Sequence, residues 1–451
     1  MKKIALLLIA VLALNIFAGC TVSNKLSSDA PVTLNMWHVY GSQTKSPLND
    51  AIDEFNKTFG KENGIIVNIV SVTSSSAIDK ALLASANNEP GADELPDLFT
   101  AYPRVAEIVG KENLLAWDEY FSKDELSEFS DDFISEGYFD SKLLMLPIAK
   151  SSEAFYVNKT LFDRFCEQTG AGYSSLSSYD GIFKTAELYY DTTGSDFMQF
   201  NDHYHYFLLG MKAAGEELIT DGTINCESEA FEALWDSLAR CAIHGGICLD
   251  DGYAATRWKT AEIISNIGST ADILYQPDVV IYADNTSEPI QSVSLPYPAF
   301  GNSPLHTVYR GGGLFAIKSE DERKNNAAYV FAKWITQKEN NLDFVSQTGY
   351  LPVKKDAFDT LFEGKYHVES ENCRQLYETI EIMKENYTFV PVPLFEGASD
   401  VQHNFETNIK FVLKSARNRY SEGVSDGQNE KQIMDELVSS ALDEFRVLCA
   451  S

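Results

Sequence analysis

From Val32 onward the chain alternates short β-branched segments with amphipathic stretches of helical period, and that alternation is the strongest constraint on its fold. Val32, Leu34 and Met36 alternate as a strand, and a polar loop follows from Gly41 to Lys45. Ser46-Pro47 reads as a helix N-cap followed by Pro in the first turn. Leu48, Ile52, Phe55 and Phe59 then recur at helical spacing, and Ile65 to Val72 returns to strand character. Such a strand–helix–strand crossover is the unit of parallel sheets, so the fold class is α/β. The pattern predicts a helix from about Ala77 to Ala86, a strand at Leu98 to Ala101 and another at Lys142 to Ile148. The middle is more helical: Leu161, Phe162 and Phe165 form one apolar face before Gly170, a suitable C-cap, and Phe231, Leu234, Trp235 and Leu238 form a second. Short strands are predicted at Ile263 to Ile267, Val279 to Ala283 and Val293 to Leu295. Three amphipathic helices follow, carried by Leu376, Ile380 and Met383, by Phe405, Ile409, Val412 and Ala416, and by Met434, Val438, Ala441, Phe445 and Leu448.

Before Val32 the sequence has a different character. Lys2-Lys3 and an apolar run from Ile4 to Phe17, about 14 residues and too short to span a bilayer core of about 30 Å with margin, have the build of an export signal. Phe17-Ala18-Gly19-Cys20 resembles the bacterial lipobox, with Phe17 in the place usually held by Leu. The expectation is a lipoprotein signal over 1–19, lipidation of Cys20, and a polar tether over 20–31. An ordinary cleaved signal with an incidental cysteine is the alternative.

Charge narrows the partners. The 451 residues carry 36 basic and 66 acidic side chains, a formal charge of −30, and loss of residues 1–19 takes two lysines with it and moves this to −32. Long-range repulsion then opposes nucleic acid or an anionic membrane surface as a partner. Six further cysteines, with no C-x-x-C pair, form no zinc pattern and no disulfide framework, although Cys241 and Cys248 are near enough in sequence to pair.

Catalytic signatures are missing. There is no G-x-S-x-G, H-E-x-x-H or phosphate-binding loop, and Gly311-Gly312-Gly313 does not extend to G-x-G-x-x-G. His203 and His205 are two apart and do not share a helix face, so hydrogen-bonded histidines are favoured over a metal pair. No enzyme, metal or cofactor is expected.

The segment from Tyr309 to Val353 is the most informative. Its glycines permit close backbone approach or unusual φ, Leu314 to Ile317 is a short strand, and Ala327, Phe331, Trp334 and Ile335 form the buried face of a helix. A Gly-Gly strand entry, an AA…F..WIT..E helix and a TGYLPV return resemble the family 1 extracellular solute-binding proteins of bacterial ABC importers, relatives of maltose-binding protein. Leu34-Asn35-Met36-Trp37-His38, Leu95-Pro96-Asp97-Leu98 and the stretch from Leu146 to Lys159 match the same family in the same order.

The resemblance implies a two-lobed, type II periplasmic-binding-protein-like fold, each lobe a sheet flanked by helices, with the ligand cleft at the hinge. Lobe one is expected over 32–149 plus 310–350, and lobe two over 150–309 plus 351–451. It further implies an extracytoplasmic monomer that captures a carbohydrate and delivers it to permease subunits. Glycerol phosphate is the rival ligand; a surface polysaccharide hydrolase or lyase and a sensor lipoprotein are rivals of other kinds.

Ligands of open α/β sheets bind at loops beyond the carboxyl ends of strands. Sugar C–H faces stack on Trp or Tyr, and hydroxyls need paired donors and acceptors. Trp37, Tyr40, Trp258 and Tyr309 are therefore stacking candidates, with His38 and Tyr102 in the loops after the first and third strands. Asp97, Ser151, Glu153, Ser269, Thr270 and Arg310 are polar candidates, and Gly312 stands in the glycine-rich entry. Plainer roles compete: Trp37 capping the sheet, Trp258 packing on its helix, Asp97 ordering a loop and Arg310 bridging the lobes. Phe405 is a further cleft candidate, whereas Trp117, Trp235 and Trp334 read as core.

Overall fold

The computed structural model describes residues 25–40, 46–72, 75–395 and 397–449. The lipobox and its signal lie outside them. One sheet is built from β1 (Val32–His38), β2 (Ile65–Ser71) and β3 (Leu98–Ala101), all parallel with β1 in the middle. A fourth strand, Gly313–Ala316, returns from far along the chain to pair antiparallel with β3. The connecting helix α1 (Pro47–Lys57) starts as the sequence predicts: Ser46 caps it by accepting the Asn49 N–H, with Pro in the first turn. It buries Leu48, Ile52 and Phe55, and Phe55 meets Phe331 and Trp334 edge-on at 5.2 Å each.

The second sheet comprises β4 (Glu153–Asn158), β5 (Met198–Phe200), β6 (Ile247–Cys248), β7 (Ser265–Ser269) and β8 (Ser292–Leu295), in spatial order β6-β5-β7-β4-β8. β5, β6 and β7 run parallel, and β4 is antiparallel to both of its neighbours. This direction change brings the start of β4 beside the ends of β5 and β7, so Glu153, Asn201 and Ser269 gather at one rim. Helices α2 (His203–Ala213), α3 (Glu229–His244), α4 (Ala398–Ser425) and α5 (Glu430–Cys449) cover one side of this sheet. Their apolar stripes close on one another, with Trp235 donating to the Val438 carbonyl at 3.1 Å and its ring 5.0 Å from Phe445. Trp117, Trp235 and Trp334 are all buried, as their helical spacing implies.

One predicted strand is shorter than expected. Of Lys142 to Ile148 only Lys142–Leu143 is strand, in a hairpin with Tyr138–Phe139. Pro147 has no N–H to donate, and the chain then makes only a bridge in which Leu146 and Leu314 exchange backbone hydrogen bonds of 2.9 and 2.8 Å. Cys241 and Cys248, near enough in sequence to pair, are both free thiols: the Cys241 thiol lies 3.7 Å from the Phe183 carbonyl, and Cys248 packs in a different part of the core.

Three stretches of chain cross between the sheets side by side. Lys150 and Leu351 exchange backbone bonds of 3.1 and 2.6 Å, and Ser151 and Arg310 exchange bonds of 2.9 and 2.7 Å. Behind them β9 (His306–Tyr309) pairs in parallel with Thr388–Pro391.

Candidate ligand cleft

The crossing segments form a floor between the carboxyl-end loops of the two sheets. At its centre Arg310 donates to Glu153 Oε1 at 2.5 Å, and the same oxygen is 2.9 Å from His205 Nδ1. Asp202, the N-cap of α2, accepts the His205 backbone N–H at 3.3 Å and the Gln402 amide at 2.8 Å. Its carboxylate lies 3.6 Å from His205 Nδ1 and 4.0 Å from the Arg310 guanidinium. Glu153, Asp202 and His205 are buried, and Arg310 keeps a fifth of its side chain exposed.

Electrostatics hold this group together. Burial disfavours charge on His205, but the Asp202 and Glu153 carboxylates outweigh it and raise its pKa. Burial likewise works against the Arg310 charge, and Glu153, Asp202 and Asp272 more than compensate. Asp272 takes an Asn201 amide hydrogen bond of 2.5 Å, yet burial pushes its carboxyl up to about 6. Next along, His203 Nδ1 is 3.0 Å from Glu406, whose other oxygen accepts the Tyr204 N–H at 2.6 Å. The histidine pair thus splits its allegiance, each ring to a carboxylate distant in sequence. Among the described residues no group of three or more His, Cys, Asp or Glu side chains is arranged to hold a metal ion.

Tyrosines surround the acidic floor. Tyr275 follows Asp272 by one turn and is half exposed, while Tyr253, in the loop after β6, is largely exposed. From the other sheet come Tyr102, after β3, and Tyr350, which meets Tyr40 edge-on at 5.0 Å. Burial raises the Tyr350 pKa, and Tyr40, Tyr102, Tyr275 and Asp272 add to it electrostatically. Gly349 explains how Tyr350 comes so near: at φ +72, a Cβ there would lie 2.2 Å from the Thr270 carbonyl.

Of the residues singled out by sequence, Tyr102, Ser151, Glu153, Ser269, Thr270 and Arg310 come together here. Ser151 acts through its backbone; Thr270, fully buried, donates its N–H to the Ser152 carbonyl at 2.8 Å, and Ser269 offers its carbonyl to Tyr156 at 3.0 Å. The others serve the scaffold. Trp37 is packed with Ile78, Leu82 and Phe99, and Trp258 is wholly enclosed, so neither offers a ring face to a ligand. Tyr40 is buried against Phe344 and Tyr350, and Tyr309 is sandwiched by Phe389 at 4.6 Å and Phe133 at 4.7 Å. His38 bonds Asn49 at 2.7 Å, and Asp97 is held by Lys324 at 2.7 Å and the Asn35 N–H at 2.8 Å. Gly312 is needed for strand pairing, because a Cβ would sit 2.0 Å from the Ala101 carbonyl. Phe405 is core, packed on Tyr204, Phe207 and Phe445.

Sequence reasoning missed Asp202, His205, Asp272, Tyr275 and Tyr350. Asp202 was findable as an N-cap before an apolar helix, whereas nothing local marks Tyr275 or Tyr350 as cleft residues.

The profile of a family described as bacterial extracellular solute-binding protein matches residues 50–367. The chain belongs to that family. Members of the bacterial extracellular solute-binding protein family are binding proteins, not enzymes, and membership places this chain outside the cytoplasm. Among the described residues no helix is long and apolar enough to cross a membrane.

Solved structures share the two-lobed fold. The cyclic alpha-maltosyl-1,6-maltose binding protein of Arthrobacter globiformis superposes with a TM-score of 0.62 at 16% identity, covering 93% of this chain and 99% of that one. The Listeria monocytogenes ABC substrate-binding protein Lmo0181, in complex with cycloalternan, gives 0.66 at 13% identity, with 92% and 98% covered. UgpB of Mycobacterium tuberculosis, in complex with glycerophosphocholine, gives 0.65 at 19% identity, with 92% and 99% covered. A comparison with curated proteins returned no match.

Proposed function

We propose that this chain is the substrate-capturing component of an ABC importer, that its ligand is a carbohydrate, and that capture occurs by closure of two lobes about the crossing segments. The observation that carries this reading is the combination of tyrosines with a dense set of fixed acceptors and donors on one floor. Tyrosine rings suit sugar C–H faces, and ordered carboxylates suit hydroxyl donors, whose burial unpaired costs about 1–3 kcal/mol. Lobe one is taken as 32–149 with 310–350, lobe two as 150–309 with 351–451, and the protein as a monomer anchored through lipid on Cys20 and serving a membrane permease.

A glycerophosphate ligand is the competing reading, and the fold similarity to UgpB is what favours it. Charge argues the other way. Arg310 is already engaged by Glu153 and lies near Asp202, and Asp272 and Glu406 add further carboxyls, so a phosphate meets repulsion on this floor. The test is calorimetry of the purified protein against mono- and oligosaccharides and glycerophosphodiesters, with Trp fluorescence as a monitor of closure. Heat and a fluorescence change with a sugar support the proposal; binding confined to glycerophosphodiesters, or to neither class, refutes it.

A further inference from the structure

Lys150 stands in the crossing segments with its side chain completely buried. An ammonium without water costs several kcal/mol unless it is paired and hydrogen-bonded, so a lysine here needs a reason that a methionine of similar length would not supply. Its contacts provide one. The ammonium pairs with the Glu136 carboxylate and donates to the Gly311 carbonyl at 3.0 Å. Its backbone exchanges two hydrogen bonds with Leu351. One residue therefore touches all three crossing segments. Gly311 adopts φ +109, a conformation that favours glycine, and it directly follows Arg310. On the other side Ser151, the neighbour of Lys150, holds the Arg310 backbone by two bonds, and Glu153, which receives the Arg310 guanidinium, is two residues further on.

We infer that Lys150 is a positioning residue for ligand capture: its ammonium ties its own crossing segment to Gly311 and to Glu136 while its backbone holds Leu351, and the side-chain tie keeps Arg310 registered against Glu153. The inference rests on the hinge-closure reading above, and it concerns how the floor stays assembled as the segments bend. Closure that splayed these segments would separate the Arg310–Glu153 pair, leaving Glu153 to His205 alone and Arg310 to the more distant Asp202.

Two variants of the full chain test it: Lys150→Met, and the double variant Lys150→Met/Glu136→Gln. Amide hydrogen exchange is followed at Ser151, Arg310 and Leu351, with no ligand present, together with the melting temperature. Exchange at these amides is expected to rise about tenfold or more in both variants, the equivalent of one charged hydrogen bond. The melting temperature is expected to fall in Lys150→Met, which strands Glu136, and to recover in the double variant while exchange stays fast. Wild-type exchange in both variants overturns the inference. So does exchange that recovers along with the melting temperature, because the lysine then only neutralises Glu136. Where Lys150→Met does not fold, the double variant decides alone. Affinity for any sugar that binds the wild type is expected to fall about tenfold in both; a protein that binds no sugar defeats the carbohydrate reading, and the exchange data still judge Lys150.

Discussion

His38 gives a sharp prediction about acid. The ring is buried, its Nε2 lies 2.7 Å from Asn49 Oδ1, and its Nδ1 accepts the Tyr40 backbone N–H at 3.2 Å. These partners fix the tautomer: the proton is on Nε2, and Nδ1 carries the lone pair. Protonation at Nδ1 would set two donors face to face in a fully buried site. Burial accordingly lowers the pKa from 6.5 to about 4, with the Asn49 bond resisting in part. The unfolded chain therefore takes up this proton first, and stability falls as pH drops from 6.5 toward 4. At 1.36 kcal/mol per pH unit the full loss is about 3 kcal/mol, of which about 2 kcal/mol has gone by pH 5. Urea unfolding of wild type and His38→Gln at pH 8 and pH 5 isolates it, because the other titrating groups cancel in the difference. Wild type is expected to lose about 2 kcal/mol of its advantage over that range. NMR titration of the ring gives the pKa directly. A His38 that titrates near 6.5, or a difference between the proteins that does not change with pH, refutes the reasoning.

Asp272 acts with the opposite sign. Its raised pKa means that the native state gives up stability as pH climbs from about 4 to 6, so Asp272→Asn is expected to equal wild type near pH 4 and to exceed it at pH 7 by no more than about 3 kcal/mol, with weaker sugar binding in calorimetry. Glu153→Gln leaves Arg310 and His205 without their shared anion, and a cost of about 3–5 kcal/mol is expected in denaturant melts, along with loss of ligand response. Trp258→Phe is expected to lower the melting temperature and leave ligand affinity unchanged, since the indole is core; an affinity loss without a stability loss would return it to the cleft. Gly312→Ala is expected to destabilise without affecting chemistry at the floor, because its Cβ strikes the Ala101 carbonyl, as circular dichroism melts can check.

Elements that rest on local chemistry were legible. Ser46-Pro47 starts its helix as read, Gly170 ends the one before it at φ +79, and the long stripes ending in Leu448 are core. The Lys142 to Ile148 strand was overread because periodicity does not register that Pro147 withdraws a donor. The cleft was half legible for a related reason. Glu153 and Arg310 could be found because they lie in motifs with family counterparts, and Ser269 because it ends a strand. Trp37, at the end of the first strand in a family motif, and Trp258 were stacking candidates for their rings, and neither position nor type reveals whether a ring face is already covered.

That distinction explains the role of the histidines as well. In sequence, His203 and His205 look like a pair, and their spacing argued only against a shared metal. In the fold the helix rotates them apart, so that one meets Glu406 and the other Glu153, which lie on elements more than two hundred residues and about fifty residues away. Each contact crosses from α2 to a different element, so neither partner can be read from the stretch of chain around the histidines. A chain with 66 acidic side chains offers every buried cation many potential partners, and only topology selects among them. The acidic excess that first served to exclude polyanions thus has a second use at the cleft. Carboxylates there immobilise Arg310 and His205, so on the proposed reading the floor disfavours an anion and selects among neutral ligands by hydrogen-bond geometry and ring stacking.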